Sequence, residues 1–206
     1  MNKYRVENRI FNKPWFTNSL DLFKTHSIMK SGTIFADYGC GALEFLEIIR
    51  NKYKDVELWG GNIEIKSMES IANDLNVTLF EFNGDDLYST GKEFEGKFDV
   101  CSCLESLEHV VDADAYIQLM NRNLKPNGFL VLSVPDTAFL LCYLHYLKEG
   151  IPWKEGHHFR FFHMARIKQY IILNVFKIVA ENHISPRKLR LFAKIFQKLE
   201  NDRHLL

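Results

Sequence analysis

The chain carries no excess of charge: 26 Lys and Arg stand against 26 Asp and Glu in 206 residues. Without a global field to draw it to a polyanion, a DNA-binding role is set aside, and balanced charge counts against RNA as well. Cysteine is sparse, and of its four (Cys40, Cys101, Cys103 and Cys142) the closest pair is separated by one residue, which fits no common zinc spacing. On an alternating strand Cys101 and Cys103 would share a face, where a free thiol behaves as a small core side chain. No charged-then-apolar leader opens the chain, so the cytoplasm is the expected compartment. The apolar stretch Phe129–Leu147 is broken by Pro135, Asp136 and His145, which argues against a membrane helix. Internal repeats and low-complexity linkers are also missing.

What is present suits a folded α/β domain. The composition is 47% hydrophobic and 25% charged, and the length allows a sizeable core. Apolar runs alternate with helical patterns, which predicts parallel strands joined by crossover helices in a Rossmann-like, doubly wound sheet with helices on both faces. The expected strands are 33–37, 56–63, 78–82, 98–103 and 129–134, with a weaker sixth at 176–183; the expected helices are 43–53, 65–75 and 113–124. "KPNG" at 125–128 reads as a helix stop and turn. Three segments follow: a helical cover over residues 1–30, a main domain over 31–184, and an amphipathic helix over 185–206. Tyr4, Phe11, Trp15, Phe16 and Phe23 suggest that the cover lies over the sheet or a ligand pocket. In the tail, Ser185-Pro186 reads as a helix start and Leu189, Phe192, Ala193, Phe196 and Leu199 as one apolar stripe, suited to docking on the domain or on a second copy.

The functional signal begins at "FADYGCGALEF", residues 35–45. An acid and two glycines end the first strand, where ligands sit in doubly wound sheets and where glycine lets a ligand approach the backbone. The dinucleotide pattern G-x-G-x-x-G is not completed, because position 44 is Glu, which would oppose a pyrophosphate. Further strand ends carry "LWGGNIEI", "NGDDL" and "FDVCSCLESLEHV", followed by "LKPNGFLVLSVPD". In this order the chain resembles the class I S-adenosylmethionine-dependent methyltransferases, over about residues 30–136 and more weakly to about 184. The branch with ubiquinone-biosynthesis O-methyltransferases and small-molecule or sugar methyltransferases is the most similar.

The resemblance implies S-adenosylmethionine as cofactor and gives roles to matching positions. Gly39 and Gly41 would lie against its amino-acid part, with Asp37 orienting the loop or the ammonium. Asn62, where the family usually has an acid, would bind ribose hydroxyls, with Glu64 as a substitute. Asp85 would accept from the adenine amino group, Asp86 and Leu87 would approach the ring through their backbone, and Leu104 would contact the methionine portion. Leu43 stands where the family has a third small residue, which argues for altered loop packing. Asp37, Asn62 and Asp85 are expected to converge on one pocket. The family's sheet also ends in a seventh, antiparallel strand, for which no segment after His183 is a good candidate, so a truncated chain or an altered sheet edge is expected.

For chemistry, Glu105, Glu108 and His109 match a Glu-x-x-Glu-His run that binds a divalent metal such as magnesium in some relatives, and His158 or His157 could complete it. The competing reading makes His109 or His158 a general base; a third leaves all of them structural. Lys154, His157, His158 and Arg160 form a basic segment suited to a phosphate-bearing acceptor, while 137–147 suits an apolar one. The expected function is methyl transfer to an oxygen of a small molecule, such as a phosphorylated or nucleotide-linked sugar. The alternatives are a metal-dependent RNA 2′-O-methyltransferase and a non-catalytic binding scaffold, with a homodimer through the tail helix a possible assembly.

Overall fold

The computed structural model describes residues 13–135, 140–150, 160–184 and 191–198. Seven strands form one sheet: β1 (Ile34–Tyr38), β2 (Glu57–Asn62), β3 (Val77–Glu81), β4 (Phe98–Leu104), β5 (Leu124–Pro135), β6 (Phe176–Ile184) and β7 (Leu191–Lys198), in the order β3-β2-β1-β4-β5-β7-β6. The first five are parallel, whereas β7 runs antiparallel to both neighbours. Strand order therefore reverses between β1 and β4, and the crevice at their carboxyl ends is where such sheets bind ligands.

The helices are α1 (Pro14–Thr25), α2 (Glu44–Lys52), α3 (Glu69–Leu75), α4 (Ala113–Asn123), α5 (Leu140–Glu149) and α6 (Met164–Leu173). Two of them begin where the sequence offers a clear reason. Pro14 opens α1, where its missing N–H costs nothing. Asp112 caps α4 by accepting from the backbone N–H groups of Asp114 and Ala115 at 3.1 and 3.0 Å. After α4 the chain passes straight into β5, and the β4–β5 register skips from Leu124 to Phe129, so the "KPNG" residues form an irregular bulge within the strand in place of the expected turn.

Strand alternation divides the core in two. Phe35, Leu58, Val100 and Val131 join Phe16, Phe23 and Phe45 on one face of the sheet. Tyr38, Cys101, Cys103, Leu130 and Leu132 join Tyr116 and Met120 on the other. Cys101 and Cys103 share a buried face, as their spacing requires. Helix α1 covers the first face by stacking Phe16 on Phe45, with ring centroids 4.9 Å apart, and by setting Phe23 edge-on to Phe35. Among the described residues no helix is long and apolar enough to cross a membrane.

The tail differs from expectation. Leu191–Lys198 is a strand, not a helix, and supplies the antiparallel partner for which the sequence seemed to have no candidate. The cause is tertiary. Eight residues this apolar fit a period of 3.6 or of 2, and β5 presents a full edge of N–H and C=O groups that only another strand can satisfy. β7 pairs with β5 from Phe129 to Pro135 and with β6 along its other side. A dimer through a C-terminal helix loses its element over these residues; Ser185, Pro186, Leu189 and Leu199 lie outside the described residues.

Candidate functional site

Asp37 occupies the centre of the sheet, paired with Gly60 of β2 and Ser102 of β4. The Ser102 hydroxyl donates to Asp37 Oδ1 at 2.5 Å. Burial pushes the Asp37 carboxyl up to about 7, while the Ser102 bond favours its charged form and pulls the other way. The chain then bends through three left-handed residues, Gly39, Gly41 and Leu43, with φ of 75°, 51° and 60°. Gly39 and Cys40 both donate their N–H to Gly61 O, at 2.9 and 3.2 Å, which fixes the bend. A Cβ on Gly39 would clash with the Ser106 side chain, whereas one on Gly41 would meet nothing within 4 Å. Leu43 keeps a backbone that glycine would hold without strain, at a cost of roughly 1–2 kcal/mol. Its side chain is fully buried, so it turns into the core and leaves the upper side of the loop open.

Three hollows adjoin along the strand ends. The first, about 240 Å³, lies between α1 and the ends of β1 and β4, with Trp15, Phe16, Asp37, Gly41, Leu104 and Glu105 among its walls. The second, about 450 Å³, follows β2 and is walled by Asn62, Ile63 and Glu64 together with Gly41 and Ala42. The third, about 600 Å³, follows β3 and is walled by Ile63, Glu81, Phe82, Asn83, Asp85 and Thr90. Asp37, Asn62 and Asp85 therefore face one hollow each and not a single pocket. The Gly41–Ala42 backbone partitions the first pair, and the Ile63 side chain, 62% exposed, stands between the second pair.

Several expected ligand groups are already engaged. Asn62 Oδ1 accepts from the Ile63 N–H at 2.9 Å. The Glu64 carboxylate accepts from Ser67 N and Oγ, at 3.3 and 3.0 Å. Asp86 is held by the Ser89 hydroxyl and N–H, which keeps its carboxyl below the usual range. Leu87 is buried in the core and Asp85 is exposed.

Past β4, Glu105 has a φ of 51°, accepts at Oε1 from Ser133 Oγ at 2.7 Å, and lines the first hollow with Leu104. Glu108 is 2% exposed, whereas His109 faces outward. The two are adjacent in the 3₁₀ turn Leu107–His109, whose geometry points successive side chains about 120° apart. Among the described residues no three acids, cysteines or histidines gather closely enough to hold a metal ion, and the His158 or His157 expected beside Glu105, Glu108 and His109 lies outside those residues. Arg160 is tied down: its Nε and Nη2 donate to Val111 O, the former at 2.8 Å, and its N–H donates to Glu108 O at 3.2 Å. Lys154, His157 and His158 lie outside the described residues.

Some wall residues escaped sequence reasoning. Ile63 carried a signal, since an aliphatic side chain directly after a strand-end amide has no packing reason to be exposed. Lys13, whose ammonium pairs with Glu44 across the first hollow, Ser67 and Thr90 carried none.

Comparison with known proteins completes the picture. A family model described as a methyltransferase domain matches residues 20–202. The ubiquinone biosynthesis O-methyltransferase of Psychrobacter cryohalolentis is 30% identical over 118 residues, covering 56% of this chain and 46% of that protein. Its counterpart from Xanthomonas oryzae pv. oryzae is 28% identical over 140 residues, covering 64% and 57%. The chain thus spans about half the length of the curated relatives it matches. In fold it is similar to magnesium protoporphyrin IX methyltransferase from Synechocystis PCC 6803, solved with bound SAH, with a TM-score of 0.71, 17% identity, and 96% and 88% of the two chains covered.

Proposed function

The chain belongs to the methyltransferase domain family, and on that premise we propose that it transfers a methyl group from S-adenosylmethionine to an oxygen of a small molecule in the cytoplasm. The observation that carries this reading is the row of three adjoining hollows along the ends of β1, β2 and β3. Their walls fit the cofactor part by part. The first hollow offers a buried carboxyl to an ammonium and bare backbone at Gly41 to the amino-acid chain. The second offers Asn62 and Glu64 to ribose hydroxyls. The third offers the exposed flank of Ile63 to a flat ring and Asp85 to an amino group.

Bound there, the cofactor supplies an electrophilic methyl on a sulfonium, so the protein's task is positioning and removal of the acceptor's proton. Trp15 and Phe16 of α1 form an aromatic wall of the first hollow. Glu105, steadied by Ser133, is the described carboxylate beside Leu104 best set to take that proton at an Oε atom. His109 faces outward from the neighbouring turn, and Glu108 is buried beneath it. The proton transfer proposed here routes no step through a divalent metal.

The relatives' shared name supports oxygen over nitrogen as the acceptor atom. A phosphorylated or nucleotide-linked sugar would draw on Arg160, whose guanidinium already serves Val111 O. An apolar acceptor is favoured by Val111, Phe161, Leu144 and Leu147, all exposed in the segments after β4 and β5. The test is incubation with labelled S-adenosylmethionine and a panel of phenols, phosphosugars, nucleotide sugars and short RNAs, with and without a chelator. Label should pass to an oxygen acceptor in the chelator, and Glu105→Gln should slow it at least a hundredfold. Calorimetry that finds no heat with S-adenosylmethionine would leave a non-catalytic scaffold instead.

A further inference from the structure

The chain holds two Asn-Gly pairs, Asn83-Gly84 and Asn127-Gly128. Asparagine amides are thermolabile, and before glycine the next backbone nitrogen can attack them, because glycine has no Cβ to block the approach. The fold treats the two pairs differently. Asn127 has a φ of 61°, and Gly128 is buried within β5, where a Cβ would stand 2.9 Å from Lys125 O and 3.1 Å from Asp99 O. That crowded backbone has little room to turn toward the Asn127 amide. Asn83 and Gly84 are both exposed, in the loop after β3. Among the described residues the Gly84 N–H donates no hydrogen bond, so its deprotonation breaks none. The Asn83 N–H donates to Thr90 Oγ1 at 3.2 Å, and Asn83 Oδ1 accepts from the Asp85 N–H at 2.9 Å. The second bond polarises the amide and stabilises negative charge that grows on Oδ1 during attack.

We propose that Asn83 is a modification site: it deamidates spontaneously through Gly84, the product weakens ligand binding in the third hollow, and bound ligand prevents the change. Gly84 N gives its proton to solvent and forms a bond to Asn83 Cγ. The Cγ–Nδ2 bond then breaks, and Nδ2 takes a proton from solvent and leaves as ammonia. Water opens the resulting cyclic imide at either carbonyl, giving aspartate or an isoaspartate that lengthens the main chain by a methylene. One water is consumed, one ammonia is released, and nothing is oxidised or reduced. Asn83, Gly84 and Asp85 all wall the third hollow. The product therefore sets a second carboxylate close to Asp85, and isoaspartate also displaces the backbone that carries it. The effect on binding rests on the cofactor reading above, in which a ligand seated in this hollow covers Asn83 and Gly84.

The experiment incubates the full chain in warm, mildly alkaline buffer, both folded and in denaturant, and locates each amide-to-acid exchange by peptide mapping with mass spectrometry. In denaturant the two Asn-Gly pairs should convert at similar rates. In the folded protein Asn83 should convert about tenfold faster than Asn127. S-adenosylhomocysteine, which does not react, should slow the Asn83 conversion by about tenfold or more when present at about a hundred times its Kd. Calorimetry should find that the converted protein binds it about tenfold more weakly than fresh protein does. Asn83→Gln, whose longer side chain disfavours the five-membered ring, should keep its starting affinity over the same incubation. So should Gly84→Ala, whose Cβ would meet only the Ile63 side chain, at 3.3 Å. Equal rates for Asn83 and Asn127 in the folded protein, no slowing by ligand, or unchanged affinity after conversion would each overturn the inference and leave the cofactor reading standing. Should fresh protein bind no S-adenosylhomocysteine, the cofactor reading falls together with the effect on binding, and the mass data still decide whether Asn83 converts.

Discussion

The two sides of the sheet hold their functional groups by different means. Along β1, β2 and β3 the hollows are walled largely by backbone and by short loops that brace themselves, with Asp37, held by Ser102 from 65 residues away, as the exception. Gly39, Gly41 and Leu43 bend within five residues, Glu64 is held by Ser67, and Asp86 by Ser89. Beyond β4 each group depends on a remote partner. Glu105 is set by Ser133, 28 residues away, and Arg160 by Val111, 49 residues away, while β5 itself needs β7 as its neighbour. A ligand common to many proteins can be met by a locally specified bend, whereas the acceptor side is assembled from distant pieces.

That contrast can be broken, most severely at β7. Deleting residues 191–206 strips the partner from β5 and β6 together, and the chain should then give no folded monomer by circular dichroism and size-exclusion chromatography. A soluble monomer with a cooperative melt would mean that the far side of the sheet is less dependent on remote pairing than argued. Next in size is the charge inside the cofactor side. Asp37 titrates at about 7 when folded against 3.8 as a free group, so the folded state binds the extra proton between those values. Its contribution is fully present below pH 3.8, declines as pH rises, and is lost above 7, a span of about 4 kcal/mol. Denaturant melts of the ligand-free protein should find Asp37→Asn gaining stability relative to wild type from pH 5 to pH 8.

Smaller effects sharpen the local half of the comparison. Gly39→Ala forces a Cβ against Ser106 in a left-handed backbone and should cost about 3 kcal/mol by thermal melting. Gly41→Ala has the same backbone strain with open space beside it, so it should cost only about 1 kcal/mol of stability and act mainly on cofactor affinity. Equal costs at the two positions would show that crowding does not distinguish them. Smallest is Asp85→Ala, where loss of one hydrogen bond at an exposed rim should weaken S-adenosylmethionine binding about tenfold by calorimetry, with no change in melting.

The cofactor side was the more legible from sequence because most of it, the Asp37–Ser102 bond apart, is locally built. The strand exits that carry Asp37, Asn62 and Asp85, the helix stop before "KPNG" and the shared face of Cys101 and Cys103 all follow from residues within a few positions of one another. The Glu105, Glu108 and His109 run looked like a ligand set because spacing records adjacency and not direction; a left-handed residue and a 3₁₀ turn send the three apart. The tail looked helical because its apolar pattern fits two periods, and its own residues contain nothing that chooses between them.

By itself, then, the sequence determined an alternating α/β domain and the acid-and-glycine bend at the end of its first strand, because strand periodicity and left-handed turns are properties of neighbouring residues. Only the tertiary structure decided that residues 191–198 would close the sheet, that Ser102 would stand against Asp37, and that the ligand groove would be three hollows with Ile63 between two of them. Those outcomes depend on which groups are left unpaired once the rest of the chain has packed, and no short stretch of residues carries that information.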